Sequence, residues 1–206
     1  EISACLVGSE MCIRDRAQRE SRHSYSISLE QGEITNQKQS GRCWMFAALN
    51  TFRFEVIKNL NLKTFELSQN YTLFYDKLEK SNYFLESILE TLDEPTQGRL
   101  ISFLLSAPLG DGGQWDMLCN LVRKYGVVPK EAMPETVSSS ATREMTAALT
   151  RKLREDACRL RKAYADGSTL DELRQKKEAM MEEIYRVLCI CLGEPPKTFD
   201  LEVTDK

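Results

Sequence analysis

Residues 35–50 read TNQKQSGRCWMFAALN, and within this stretch five residues separate an amide side chain, Gln37, from a thiol, Cys43. Apolar side chains recur at helical spacing after Cys43, which predicts that the thiol lies at the start of an amphipathic to mostly buried helix. The free N–H groups at a helix start favour an anion, and Arg42 would add a positive charge if its side chain pointed the same way. The stretch therefore indicates a nucleophilic cysteine. A small cysteine buried in the core is the alternative.

A nucleophilic thiol needs two further kinds of group. Attack on a peptide carbonyl creates an oxyanion, for which the side-chain amide of Gln37 and the backbone N–H of Cys43 would be suitable donors. A base must also take the thiol proton and return it to the leaving group. The single histidine, His23, precedes Cys43 in a polar segment, and we expect it to lie on the surface or in a linker. The sequence thus contains a candidate nucleophile and candidate oxyanion donors, but no suitable general base.

The order of Gln37, Cys43 and Trp44 resembles the active-site segment of papain-type cysteine peptidases. Over residues 35–50 the detailed sequence is similar to one branch of that superfamily, the bleomycin hydrolases and bacterial aminopeptidases C. Four later stretches resemble the same branch in the same order: FELSQ (65–69), DGGQWDM (111–117), KYGVVPK (124–130) and MMEEIYRV (180–187). The resemblance therefore extends from about Tyr25 to Lys206.

This resemblance implies a fold and a set of site residues. The parent protein would have the α+β papain-like fold, of which this chain would supply a mostly α-helical part. Cys43 would be the nucleophile and Gln37 the oxyanion-hole donor. Gly112 and Gly113 would line the non-primed cleft and offer backbone hydrogen bonds to a peptide, with a plain tight turn as the alternative. No metal site and no cofactor is expected, because Cys189 and Cys191 lack a second pair of ligands.

The resemblance also implies a cytosolic cysteine aminopeptidase that acts on peptides and assembles as a homohexamer. Papain-like enzymes place their catalytic histidine roughly 130 to 150 residues after the cysteine, and here that window holds no histidine. We expect inserted helices to move the histidine and its asparagine beyond Lys206, so that this chain is an N-terminal portion without turnover of its own. The alternative is a catalytically dead papain-like fragment that acts as a helical binding module.

Three segments are predicted along the chain. Residues 1–16 resemble translated adapter sequence and are set aside as a non-native leader. Residues 17–134 would form the N-terminal helical part of the papain-like domain, including the nucleophile. Residues 135–206 would form an inserted helical hairpin and the start of the connection to the missing C-terminal part.

Local signals predict the secondary structure within these segments. A short strand is expected at 25–29, and Ser68 is a plausible N-cap for a helix that stops before Pro95. In the hairpin, Gly167 ends the first helix, while Thr169 and Glu172 form a capping box for the second. The predicted helices cover about residues 43–60, 69–92, 98–105 and 115–125 and the two arms of the hairpin at about 141–192.

Charge and cysteine content limit the classes of partner and compartment. The net charge of -3 gives no general case for binding nucleic acid or an anionic membrane, and no apolar run approaches the roughly 20 residues of a membrane-spanning helix. The first hairpin helix is basic, which could indicate nucleic-acid contact or a subunit interface; a solvated face is the simpler interpretation. Relative to secreted papain-like enzymes, Ser40 and Gly110 replace both halves of a disulfide. That replacement favours a reducing, cytoplasmic setting.

Overall fold

The computed structural model describes residues 25–27 and 32–204. The chain divides into two units, Glu1–Glu30 and Gln31–Lys206. In the first unit, residues 25–27 are exposed and are not in a strand, so the strand predicted at 25–29 is wrong for these residues. The remainder of that strand, the leader at 1–16 and His23 lie outside the described residues.

Helices dominate the second unit. Extended segments of the described residues pair only at isolated bridges, among them Gln39 with Ala141 and Leu67 with Pro129. The prediction of a mostly helical chain is therefore confirmed for the described residues. In each bridge, a residue that lies shortly before a helix pairs with a residue far away in the sequence, and this pairing holds the loop before the helix in place.

The first two helices begin where the sequence predicted. Helix α1 (Cys43–Asn59) starts at the thiol and turns Met45 and Leu49 into the core. Helix α2 (Gln69–Glu90) starts after Ser68, whose hydroxyl accepts a hydrogen bond of 3.0 Å from the Tyr71 N–H. That bond satisfies one of the donors left free at a helix start, so the predicted cap is confirmed.

Two shorter helices flank the loop that contains the paired glycines. Helix α3 (Arg99–Ser106) precedes this loop, and helix α4 (Trp115–Tyr125) follows it. Gly126 ends α4 with a φ of 77°, a backbone angle that favours glycine. A 3₁₀ turn (Lys130–Ala132) and the four-residue helix α5 (Val137–Ser140) lead to the hairpin.

The hairpin consists of α6 (Arg143–Ala165) and α7 (Leu170–Leu192). Thr169 and Glu172 form the predicted capping box at the start of α7, with bonds of 2.8 and 3.3 Å. The two helices pack on α2, and the shared core contains Phe74 and Leu85 of α2, Leu153 of α6 and Ile184 of α7. The hairpin's status as an insertion into a papain-like fold stays a prediction.

Four basic side chains of α6 form hydrogen bonds or ion pairs with other groups of this chain. Helix α6 docks through them onto α3, onto the end of α2 and onto α7, which favours the structural interpretation of this face. The contacts are Lys152 with Asp156 and Glu183, Arg154 with the carbonyls of Leu105 and Ser106, Arg159 with Glu155, and Arg161 with the carbonyls of Thr91 and Glu94. Among the described helices, none is both long and apolar enough to cross a membrane.

Candidate active site

Cys43 is the first residue of α1, and its side chain is exposed and free. No side chain caps this helix start, so the backbone N–H groups of the first turn remain available to an anion in front of the thiol. An exposed thiol in this position favours a reactive role over the alternative of a buried packing residue. We call residues 37–43 the cysteine segment.

Arg42 directs its charge to Glu135 and not to Cys43. Its guanidinium is fully buried and donates two hydrogen bonds, of 2.9 and 2.7 Å, to the carboxylate of Glu135. Its Nε donates to the Ser40 hydroxyl at 2.8 Å, and that hydroxyl donates to the Gln37 carbonyl at 2.7 Å. Arg42 therefore fixes the shape of the cysteine segment, while Glu135 neutralises its charge.

Gln37 lies half-buried at the beginning of the cysteine segment. Its Oε1 atom is buried and accepts no hydrogen bond from the described residues. The next residue, Lys38, has a φ of 54°, which turns the chain sharply toward Cys43. The backbone N–H of Gln39 then donates to the Ser140 carbonyl at 2.9 Å, which ties the turn to α5.

The structure brings the paired glycines next to the cysteine segment. We call residues 110–113 the glycine loop. Nε1 of Trp44 donates to the Asp111 carbonyl at 2.8 Å, and the indole lies against Gly113. Gly112 is exposed, and a Cβ at this position would meet no described atom within 4 Å. The open side of the loop is therefore at Gly112, whereas Gly113 is closed off by Trp44.

Asp111 is a site residue that sequence reasoning missed. One carboxylate oxygen accepts hydrogen bonds from the Gly41 N–H at 2.9 Å and the Thr142 hydroxyl at 2.5 Å. The other accepts from the ammonium group of Lys77 at 2.5 Å. Burial raises the pKa of Asp111, but the hydrogen bonds from Lys77, Thr142 and Gly41 outweigh it and lower the pKa to about 2. The group is therefore an anion throughout the neutral range.

Two lysines of α2 donate hydrogen bonds to the glycine loop. Lys77 is fully buried and also donates to the Gly110 carbonyl at 2.9 Å. Lys80 donates to the carbonyls of Gly110 and Gly112 at 3.1 and 2.7 Å, and its ammonium lies 5.5 Å from the Trp44 ring centroid. A lysine on the buried face of α2 was a readable signal, since a buried cation requires an anionic partner.

A cavity of about 840 Å³ opens beside this junction. Its walls include residues 38–41 of the cysteine segment, Asp111 of the glycine loop and Thr142 at the start of α6. Its remaining walls come from α6, with Arg143 and Arg151 among them. Cavities in this size range commonly hold small molecules or side chains of a bound peptide. Among the described residues, no group of three or more His, Cys, Asp or Glu side chains is placed to hold a metal ion.

Known proteins resemble this chain in sequence and in structure. Residues 5–206 match the Peptidase C1-like family. The chain is 54% identical over 182 residues to aminopeptidase C of Listeria monocytogenes, which covers 88% of this chain and 41% of that protein. It is 46% identical over 201 residues to bleomycin hydrolase of Homo sapiens, which covers 96% of this chain and 44% of that protein.

A solved structure agrees with these matches. The crystal structure of PepW from Lactobacillus rhamnosis superposes with a TM-score of 0.86 at 53% identity, over 89% of this chain and 41% of that chain. The present chain therefore spans about two-fifths of the length of the relatives it matches.

Proposed function

The chain belongs to the Peptidase C1-like family, and from this premise we propose that it is the N-terminal part of a cysteine aminopeptidase that releases N-terminal residues from peptides. The observation that carries the proposal is the exposed Cys43 thiol at the first residue of α1, beside the open Gly112 loop. The relatives named aminopeptidase C and bleomycin hydrolase support a cysteine peptidase.

In the proposed reaction, the Cys43 thiolate attacks the carbonyl carbon of the first peptide bond. A carbon–sulfur bond forms, and the carbonyl oxygen becomes an oxyanion that accepts hydrogen bonds from the Gln37 side chain and the Cys43 N–H. Collapse of this intermediate breaks the carbon–nitrogen bond, and the departing amine takes a proton from the protonated base. Water that has given its proton to the same base then cleaves the thioester and restores the thiolate.

We place the base in the part of the parent protein that this chain does not cover. Residues 24–206 contain no histidine, and the matched relatives are more than twice as long as the region they share with this chain. A histidine oriented by an asparagine would complete the site. The 206-residue chain is accordingly expected to turn over no peptide, although its thiol remains open to alkylation.

Substrate binding is proposed to use the glycine loop. The exposed position of Gly112 leaves room for an extended peptide to approach the backbone. At Gly113 the absence of a side chain leaves space for the Trp44 ring, so Gly113 contributes to peptide binding indirectly.

Two broader features of the parent are proposed from the resemblance to the bleomycin hydrolase and aminopeptidase C branch. One is a cytoplasmic location, with which the free state of all the described cysteines agrees: Cys43, Cys119, Cys158, Cys189 and Cys191. The other is a homohexamer. Binding of nucleic acid is left out of the proposal, because four basic side chains of α6, Lys152, Arg154, Arg159 and Arg161, bond to other groups of this chain.

Site-specific alkylation tests the role of Cys43 without the missing base. Cys158 on α6 is also exposed and free, which makes it a matched control. We expect iodoacetamide to label Cys43 at least about tenfold faster than Cys158, because Cys43 lies at the uncapped start of α1 whereas Cys158 lies within α6. Mass spectrometry of peptides from the treated chain would give both rates. Equal rates would contradict an activated Cys43.

Hydrolysis of an aminoacyl-coumarin substrate tests the reaction itself. The full-length parent should cleave it, Cys43→Ala should abolish cleavage, and Cys158→Ala should leave it unchanged. Cleavage by the 206-residue chain alone, lost in Cys43→Ala, would overturn the assignment of the base to another part of the protein. A parent with no hydrolysis at all would favour the alternative, a catalytically dead helical binding module.

A further inference from the structure

A single carboxylate joins four parts of the chain around the candidate active site. Asp111 belongs to the glycine loop and accepts hydrogen bonds from Gly41 in the cysteine segment, from Lys77 on α2 and from Thr142 at the start of α6. Its own backbone carbonyl accepts from Trp44 on α1. These partners lie 31 to 70 residues from Asp111 in sequence, so the contacts fix tertiary structure and not a local turn.

The geometry points to Asp111 as a positioning residue: we propose that its carboxylate, with Lys77 as buried counter-ion, holds the glycine loop in register with the Cys43 thiol. The inference rests on the proposed peptidase function and deepens it. Asp111 itself is not proposed to touch the substrate.

The register matters because both sides of the contact are proposed to act on one peptide. Gly41 lies two residues before Cys43, and Asp111 lies one residue before Gly112. A shift of the loop would separate the peptide-binding backbone from the nucleophile and the oxyanion donors. A misplacement of about 1 Å of this kind can cost about 100-fold in rate.

The buried charges favour a role beyond stability. Lys77 is fully buried, and desolvation lowers its pKa even though Asp111 acts in the opposite direction. A buried ion pair seldom stabilises a fold more than apolar side chains of the same volume would. Leu and Met residues at these positions would fill the space, but they would leave the Gly41 N–H without its acceptor. The pair therefore fits a function that requires a fixed oxygen atom at this place.

Thr142 gives a second argument. It precedes α6 as the N-cap residue, yet its hydroxyl makes no capping bond to the helix. The hydroxyl donates instead to Asp111 at 2.5 Å, and the side chain is buried. The start of α6 thus lacks the bond in which an N-cap hydroxyl accepts from a backbone N–H, and the Thr142 side chain is oriented toward the Asp111 carboxylate.

Kinetics of the full-length parent test the inference. We expect Asp111→Asn to lower kcat/KM by about 10- to 100-fold on an aminoacyl-coumarin substrate, since the loop loses its charge-assisted bonds. The rate of Cys43 alkylation by iodoacetamide should also fall severalfold, because the first turn of α1 is held less firmly. The matched control is Asp156→Asn on α6, which removes a buried carboxylate paired with Lys152 at 2.5 Å. This control should leave kcat/KM and alkylation within about twofold of the unmodified protein.

A milder pair of variants covers the case in which Asp111→Asn does not fold. Thr142→Val removes one donor with little change of volume, whereas Thr142→Ser keeps the hydroxyl. We expect Thr142→Val to lower kcat/KM and the Cys43 alkylation rate, and Thr142→Ser to restore both. Equal rates in these two variants would overturn the inference, as would an Asp111→Asn variant whose rates equal those of Asp156→Asn.

The outcome separates this inference from the proposed function. If hydrolysis persists in Cys43→Ala, the proposed function fails whatever Asp111 does. If Cys43→Ala abolishes hydrolysis but the Asp111 and Thr142 variants keep normal rates, only the positioning role fails.

Discussion

The indole of Trp44 lies directly against Gly113, where a Cβ atom would stand 2.5 Å from Cζ2 of the ring. The ring is held in this position, because its Nε1 donates to the Asp111 carbonyl at 2.8 Å. One residue earlier, a Cβ at Gly112 would meet no described atom within 4 Å. The two adjacent glycines therefore have different reasons for lacking a side chain.

This difference predicts opposite tolerance to the same substitution. We expect Gly113→Ala to lower the free energy of unfolding by about 1–3 kcal/mol, because either the ring or the loop must move. Gly112→Ala should change it by less than about 0.5 kcal/mol and serves as the matched control. Urea titration followed by circular dichroism would measure both. Equal losses would contradict the packing argument.

The buried Arg42–Glu135 pair predicts that lysine cannot replace arginine. The guanidinium donates two bonds to one carboxylate, an arrangement that a single ammonium group cannot reproduce. We expect Arg42→Lys to lower the free energy of unfolding by about 2–3 kcal/mol, approaching the cost of breaking a buried pair.

A control for this prediction lies on α6, where Arg159 pairs with Glu155 and both side chains are more than half exposed. Arg159→Lys should change the free energy of unfolding by less than about 0.5 kcal/mol. Chemical denaturation of both variants provides the comparison. A similar small loss in both would mean that the buried geometry at Arg42 contributes little.

Most of the helix boundaries were predictable because their signals are local. Ser68 bonds to an N–H three residues away, Thr169 and Glu172 bond to each other, and Gly126 stops α4 through its own backbone angle. The cysteine segment likewise identified the family, which the relatives confirm. Each of these signals is contained within a few residues, so a single sequence is enough to read it.

The electrostatics of the candidate site could not be predicted in the same way. Arg42 is adjacent to Cys43 in sequence, yet its charge goes to Glu135, 93 residues later. Lys77 and Asp111 are 34 residues apart and meet only when α2 packs beneath the glycine loop. No local pattern around Lys77 indicates which acidic residue it meets. Tertiary packing decides such pairings, and periodicity carries no information about them.

The capping box of α7 predicts a graded loss of stability. We expect Thr169→Ala to lower the free energy of unfolding by about 1 kcal/mol, because the Glu172 N–H loses its acceptor while the backbone N–H of residue 169 still donates to the Glu172 carboxylate. Thr169→Ser keeps the hydroxyl and should cost only a few tenths of a kcal/mol. Thermal unfolding would measure both variants, and an equal loss in the two would exclude a contribution from the hydroxyl.

The low pKa of Asp111 predicts how its contribution to stability depends on pH. The folded pKa of about 2 lies below the ordinary value of 3.8, so the stabilising contribution is complete above pH 4 and is lost as pH falls toward 2. The difference in unfolding free energy between the unmodified protein and Asp111→Asn should therefore shrink by roughly 1–2 kcal/mol from pH 5 to pH 2, allowing for partial exposure. Urea titrations of both proteins at several pH values would measure this change.

Asp156 provides the control with the opposite sign. Burial raises the pKa of Asp156 despite its bond to Lys152, so its contribution is present at low pH and is lost as pH rises through the folded pKa. The difference between the unmodified protein and Asp156→Asn should accordingly fall with rising pH, whereas the difference for Asp111→Asn rises. If both differences changed with pH in the same direction, the hydrogen bonds from Lys77, Thr142 and Gly41 would not be the cause of the low pKa of Asp111. Burial alone would shift the pKa values of the two carboxyl groups in the same direction.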